Sequence, residues 1–108
     1  MPRLFVYGQL KTQLPKSAKD IRVDSLNGRC YAFRDDAHLV QPLHQDDVVD
    51  GLTMSVSDDE MKRLDKEESP EWHRVLAKTN HGKLTYVYEY RGKLSSGAKL
   101  VQNWEPHK

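Results

Sequence analysis

The sequence predicts an α+β fold: a small, partly closed, mostly antiparallel β-barrel with one short helix. Two observations lead to this prediction. About five or six short segments rich in β-branched and aromatic residues follow one another, most of them bounded by glycine, proline or asparagine. Only one segment, which follows Ser57, combines a helix start signal with apolar residues at helical spacing.

The length of 108 residues predicts a single domain over residues 1–108. We expect its core to lie in about residues 3–92 and the polar tail, residues 93–108, to lie on the surface. Hydrophobic residues make up 37% of the chain and the mean hydropathy is −0.80, so the core must come from a few segments. A chain of this size buries about two-thirds of its unfolded surface, which suffices without metal or disulfide staples.

The charge balance argues against two classes of partner. With 17 basic and 16 acidic residues the net charge is +1, which predicts neither a nucleic-acid nor an anionic-membrane partner. Cys30 is the only cysteine, so no intramolecular disulfide forms, and a lone thiol fits a reducing compartment. The opening residues lack a signal-peptide pattern, and we expect a cytoplasmic protein. The oligomeric state stays open.

The first strand runs directly into a glycine turn. Leu4–Tyr7 is apolar and aromatic, and Gly8 ends it. A turn of this kind leaves backbone N–H groups pointing into one concavity, where they bind anionic oxygens. Residues Lys11–Lys19 are polar, contain a proline and are expected to form a loop or a poor helix.

The next segment predicts a hairpin. Asp20–Leu26 has the alternation of a half-exposed strand, and Asn27-Gly28 is a strong two-residue turn signal. Arg29–Phe33 would be the returning strand. Arg34–Asp47 is charged, contains a proline and is expected to cross the surface as a long loop.

Three further strands are predicted after this loop. Val48–Val56 contains Gly51, which suggests a bulge or a tight bend inside the strand. Trp72–Lys78 and Lys83–Tyr90 are strand patterns joined by a turn at Asn80-His81-Gly82.

The single helix is predicted from a capping box. Ser57 stands at the N-cap and Glu60 follows three residues later. Met61 and Leu64 then lie on one face, and the helix ends near Glu67.

Several motifs, in order, resemble the γ-glutamylcyclotransferase-like (AIG2-like) family. The opening signature of that family, a strand followed by Tyr-Gly-Thr-Leu-Lys, stands here with Gln9 at the threonine position. A Tyr-x-Arg motif stands here with Trp72 at the tyrosine position. The matching segments are Val6–Lys11, Gly28–Tyr31, Val49–Gly51, Leu64–Glu68, Trp72–Arg74 and Tyr88.

The resemblance is closest to the γ-glutamylamine cyclotransferase branch, and it implies a function. Members of that branch release 5-oxoproline from γ-glutamyl-amines. The resemblance implies that Glu68 is the catalytic acid/base. It also implies that the turn formed by Tyr7, Gly8, Gln9 and Leu10 holds the γ-glutamyl group of a small-molecule substrate. No cofactor and no metal enters this scheme.

Such a reaction needs little from the protein. The α-amine of a γ-glutamyl compound attacks its own δ-carbonyl carbon, so holding the substrate folded supplies much of the rate. One carboxylate with a raised pKa can take the proton of the α-ammonium and hand it to the leaving amine. Glu68 stands beside Glu67 and near Asp65, and like charges raise the pKa of a carboxyl group.

Two readings stay open at this point. The first is an active cyclotransferase, favoured by the position of Glu68. The second is a non-catalytic binding or interaction module that keeps the fold, favoured by Gln9 and Trp72. Without the family pattern, Glu68 would be a solvated glutamate at a helix end. We expect Cys30 to be a buried small hydrophobe and the five histidines to form no metal site.

Overall fold

Seven strands and one α-helix make up the part of the chain that the computed structural model describes, residues 2–42 and 46–105. A short 3₁₀ turn, Gln9–Lys11, follows the first strand. The strands are β1 (Arg3–Val6), β2 (Lys19–Phe33), β3 (Asp36–Pro42), β4 (Val48–Ser55), β5 (Trp72–Lys78), β6 (Leu84–Tyr90) and β7 (Lys99–Leu100), and the helix is α1 (Asp58–Glu67).

The strands form one sheet in the order β3-β2-β4-β1-β6-β5, with β7 paired to β2. All pairings are antiparallel except that of β1 with β6, where Leu4 lies opposite Tyr86. The Tyr7 hydroxyl then connects two distant strands, because it accepts from the Leu39 N–H at 3.1 Å and donates to the Tyr88 carbonyl at 2.7 Å. The sheet is curled but not closed, and the predicted partly closed barrel is confirmed.

The predicted hairpin at Asn27-Gly28 is wrong. These residues lie inside β2, a continuous strand of 15 residues. Residues 19–27 of β2 pair with β4, and residues 28–33 pair with β3. Because β4 pairs with the first part of β2 and β3 with the second, the backbone stays extended through Asn27-Gly28, although this dipeptide locally favours a turn. The change of partner is accompanied by a bulge at Arg29/Cys30.

The true hairpin turn lies at Arg34-Asp35, inside the segment expected to be a long loop. Phe33 pairs with Asp36 across it, and β3 occupies residues 36–42 of that segment. Both turn residues have positive φ, 53° and 56°. A two-residue turn of this handedness matches the twist of the strands but normally carries Asn-Gly. The part of the predicted loop at residues 43–45 lies outside the described residues.

The helix is confirmed, with half of its predicted capping box. The Ser57 hydroxyl accepts from the Glu60 N–H at 3.1 Å. The Glu60 carboxylate does not return to the Ser57 N–H; it binds Arg63 and the Ser17 N–H, while Ser17 Oγ accepts from Ser57. The apolar face of α1 packs against β1 through two buried residues, Met61 and Leu64.

Two further expectations need correction. Gly51 marks no bulge, since β4 keeps its register against β2 through this residue, where Gly51 lies opposite Asp24. Its hydrogen leaves room for β1, because a Cβ would meet the Val6 carbonyl and the Phe5 ring. The tail does not lie wholly on the surface: Trp104 is 6% exposed and packs into the core.

We expect Gly82→Ala to lower the free energy of unfolding by roughly 1–2 kcal/mol. Gly82 has φ +82° in the β5–β6 turn with open space around its Cα, so the loss is due to backbone strain alone. Gly97, which is equally open but has no positive φ, is the control. Denaturant unfolding should show Gly97→Ala within about 0.5 kcal/mol of the wild type; equal losses would contradict the strain argument.

Candidate active site

A cavity of about 190 Å³ opens between the end of β1, the start of β3 and the C-terminus of α1. All five residues singled out from the sequence line it: Tyr7, Gly8, Gln9, Leu10 and Glu68. The glycine turn and the glutamate, which stand far apart in the sequence, thus meet at one concave site as expected. Their roles in binding and catalysis stay predictions.

Glu68 is held at the cavity by the end of the helix. Its N–H donates to the Leu64 carbonyl at 3.1 Å, the last bond of α1, and its own backbone is extended with φ −76° and ψ 143°. This change from helical to extended backbone sends the chain toward β5. The side chain is half-buried beside the first strand, whereas that of Glu67 is 59% exposed and pairs with Arg63.

The surroundings of Glu68 disfavour its charge. Burial raises the pKa of its carboxyl group, and the negative charge of Asp36 raises it further. Glu67 and Asp65 act in the same direction to a smaller extent. The sequence predicts that Glu67 and Asp65 raise this pKa. It does not predict the stronger contribution of Asp36. A carboxyl group of this kind suits proton transfer near neutral pH.

We expect Glu68→Gln to stabilise the fold at neutral pH and not at pH 3. The folded-state pKa of Glu68 is raised, so the stability that this group contributes is fully present below its ordinary pKa and is lost as the pH rises through the raised value. The amide does not ionise and escapes this loss. Thermal unfolding between pH 3 and pH 8 checks this, and a stability gap that is constant with pH would contradict it.

The glycine turn is closely packed against the start of β3. A Cβ on Gly8 would lie 2.5 Å from Asp36 Oδ1 and 3.2 Å from the Ala37 nitrogen. The Gln9 N–H donates to the same Asp36 oxygen at 2.8 Å, and the Ala37 N–H does so at 2.8 Å. The turn therefore does bind an anionic oxygen through its backbone, but that oxygen belongs to the protein.

Asp36 is the residue of this site that sequence reasoning missed. The composition of its segment predicts a surface loop, and no motif marks it. Its position depends on the tight turn at Arg34-Asp35, which carries none of the usual turn glycines. The acidic pair Asp35-Asp36, one residue beyond the end of a predicted strand, is the one sign of a turn that the sequence offers there.

Aromatic side chains form a further part of the cavity lining. Tyr7 and Tyr88 are buried, and their hydroxyls are used within the protein, that of Tyr88 donating to Asp65 at 2.8 Å. Burial raises the pKa of both phenols. Trp72 is half-buried and lines the cavity. Arg74 forms an ion pair with Asp65 at 3.3 Å outside the cavity lining, which fits a structural role for this cation.

Other chemistries find little support in the described residues. Burial raises the pKa of the Cys30 thiol to about 12, so it is a poor nucleophile. Within residues 2–42 and 46–105, no group of three or more His, Cys, Asp and Glu side chains is placed to hold a metal ion. The helix that the structure describes is too short to cross a bilayer.

Comparisons with known proteins agree on the fold. A family model described as gamma-glutamyl cyclotransferase, AIG2-like, matches residues 4–106. None of the curated proteins is similar enough in sequence to count as a relative.

Three solved structures illustrate the likeness. An uncharacterized protein from Pyrococcus horikoshii has a TM-score of 0.75 at 20% identity, over 94% of this chain and 86% of that one. A protein specific to uropathogenic E. coli has a TM-score of 0.73 at 15% identity, over 94% and 87%. A protein from Arabidopsis thaliana has a TM-score of 0.69 at 21% identity, over 95% and 76%. At these identities the likeness shows the fold alone.

Proposed function

Since the chain belongs to the gamma-glutamyl cyclotransferase, AIG2-like family, we propose that it releases 5-oxoproline from a γ-glutamyl-amine or a small γ-glutamyl peptide. The single observation that supports this most is the shared cavity, where the half-buried Glu68 faces the Tyr7–Leu10 turn. The reaction is an intramolecular aminolysis, so a site that folds the substrate and moves protons is sufficient.

The turn Tyr7–Leu10 is proposed to hold the γ-glutamyl group. Its four residues line the cavity side by side, within reach of a group bound there. Gln9 lines the cavity but is exposed, so a side chain longer than the family's small hydroxyl residue has room to extend into solvent. The cavity volume of about 190 Å³ fits a group of amino-acid size, with the leaving amine toward solvent.

Glu68 is proposed to carry the protons. It takes one proton from the α-ammonium, and the neutral amine attacks the δ-carbonyl carbon to form a five-membered ring. As the bond to the leaving amine breaks, Glu68 gives that proton to the departing nitrogen. The ring nitrogen loses a second proton by way of Glu68, so the products are 5-oxoproline and an alkylammonium ion. A pKa raised toward the working pH makes the carboxylate a better base for the first step and keeps it protonated until the leaving nitrogen takes the proton.

One observation favours the second candidate, a binding module without turnover. The Gln9 N–H, a donor expected to receive a substrate anion, already donates to Asp36. An assay of 5-oxoproline release over a panel of γ-glutamyl-amines and γ-glutamyl dipeptides tests both candidates. Release that depends on Glu68 supports the enzyme. Binding of these compounds without release would support the module, and neither binding nor release would remove the γ-glutamyl assignment.

A further inference from the structure

Asp36 is fixed at the cavity in a way that leaves part of its carboxylate unused. Its Oδ1 accepts two backbone N–H groups, from Gln9 and Ala37, at 2.8 Å each. Among the described residues no donor is bound to its Oδ2. Two bonds on one oxygen hold the carboxylate in a single orientation, so little conformational freedom is lost when a ligand binds the other oxygen.

The charge of the cavity selects the kind of group that binds there. Among the residues that the structure describes, the lining contains two carboxyl groups, those of Asp36 and Glu68, and no lysine, arginine or histidine. The surrounding walls are largely aromatic and aliphatic, which strengthens electrostatic interactions inside. A cationic group is therefore attracted to the part of the cavity that these two carboxyl groups face.

We propose that Asp36 is a specificity-determining residue that binds the α-ammonium of the γ-glutamyl substrate beside Glu68. This inference rests on the proposed function and adds to it. Glu68 takes a proton from the ammonium, while Asp36 keeps a hydrogen bond to the nitrogen and orients its lone pair toward the δ-carbonyl carbon. When the nitrogen attacks it becomes positively charged again, and the carboxylate of Asp36 stabilises that charge.

The backbone conformation of the preceding turn fixes the position of Asp36. The turn that precedes it holds two non-glycine residues, Arg34 and Asp35, at positive φ. Such conformations cost of order 1 kcal/mol or more each and persist where the surrounding structure enforces them. Here these conformations place Asp36 against Gly8. Because Gly8 has no side chain, the Asp36 carboxylate fits beside it.

A pair of ligands tests the proposal by binding alone. γ-Glutamyl-methylamide carries the α-ammonium, and glutaric acid monomethylamide is the same molecule without the amino group. Both are titrated by calorimetry against Glu68→Gln protein, which prevents turnover, with and without the additional change Asp36→Asn. The asparagine oxygen still accepts from Gln9 and Ala37, so the change removes charge and keeps shape.

We expect Asp36→Asn to weaken γ-glutamyl-methylamide about 10-fold or more, as for the loss of a charge-assisted hydrogen bond. Glutaric acid monomethylamide should bind as before or more tightly. Asp35→Asn, which removes the same charge one residue away, is the control and should leave both affinities within about 2-fold. Asp36→Ser, a second variant in case the asparagine protein folds poorly, should show the same selective loss.

Three other outcomes overturn the proposal. Equal weakening of the two ligands would mean that Asp36 only supports the turn. Tighter binding of both would mean that Asp36 competes with the ligand for the Gln9 N–H. If the Glu68→Gln protein with Asp36 intact binds neither ligand, the proposed function itself fails and this role fails with it. The first two results, by contrast, leave the proposed function standing.

Discussion

Glu68→Gln is expected to lower 5-oxoproline turnover by roughly 10²–10⁴-fold, the usual contribution of a general acid/base. The amide has the size and hydrogen-bonding reach of the carboxyl group but cannot accept the proton of the α-ammonium. Ligand binding should survive, because binding is assigned to the turn and to Asp36. Steady-state release of 5-oxoproline, together with calorimetric binding of the same substrate, separates the two effects.

Glu67→Gln is the matched control for this prediction. Glu67 stands next in the chain but is 59% exposed and forms an ion pair with Arg63 at 2.7 Å on the helix surface. Exposed pairs of this kind contribute about 0–1 kcal/mol to stability, so turnover should stay within about 2-fold of wild type. Near-normal turnover in Glu68→Gln, or a larger loss in Glu67→Gln, would show that the proton carrier is misassigned.

Gly8→Val is expected to abolish most ligand binding and to destabilise the protein. Its Cβ would come within 2.5 Å of Asp36 Oδ1 and 3.2 Å of Ala37, where the branched side chain has no room. Asp36 must then leave the Gln9 and Ala37 N–H groups. We expect a loss of about 1–3 kcal/mol in unfolding free energy, typical of overpacking, and at least about 10-fold in ligand affinity.

Gln9→Ala provides the comparison for the glycine variant. The side chain of Gln9 is exposed and the backbone N–H that binds Asp36 survives truncation. Denaturant unfolding should place this variant within about 0.5 kcal/mol of wild type, with ligand affinity unchanged. Similar losses in the two variants would show that the Gln9 side chain, and not the backbone of the turn, contacts the ligand.

Local patterns predicted the parts of the fold that depend on short stretches of chain. The helix after Ser57 and the strands that meet at Asn80-His81-Gly82 need only capping, periodicity and turn chemistry, and they were found. The failure at Asn27-Gly28 has a different origin. There β2 has partners on both of its halves, and the sum of their backbone hydrogen bonds outweighs the preference of one dipeptide.

The residues of the candidate site also fall into two groups: those that a local motif marks, and those whose role depends on contacts far away in the sequence. Glu68 and the Gly8 turn each stand in a recognisable motif, so the sequence alone could mark them. Asp36 could not be marked, because its role depends on a contact 27 residues away and on a turn without the usual residues. Trp104 was missed for the same reason, since its burial is decided by strands that lie far from it in the chain.

The parallel pairing of β1 with β6 has a consequence for how the protein folds. Leu4 and Tyr86 lie far apart in the sequence, and the closure of so long a loop costs entropy before any contact offsets it. During synthesis, one edge of β1 therefore has no partner strand until β6 has left the ribosome. The residues of β1 are made long before β6, so they gain both of their neighbours late, and the wall of the cavity that they carry forms with them.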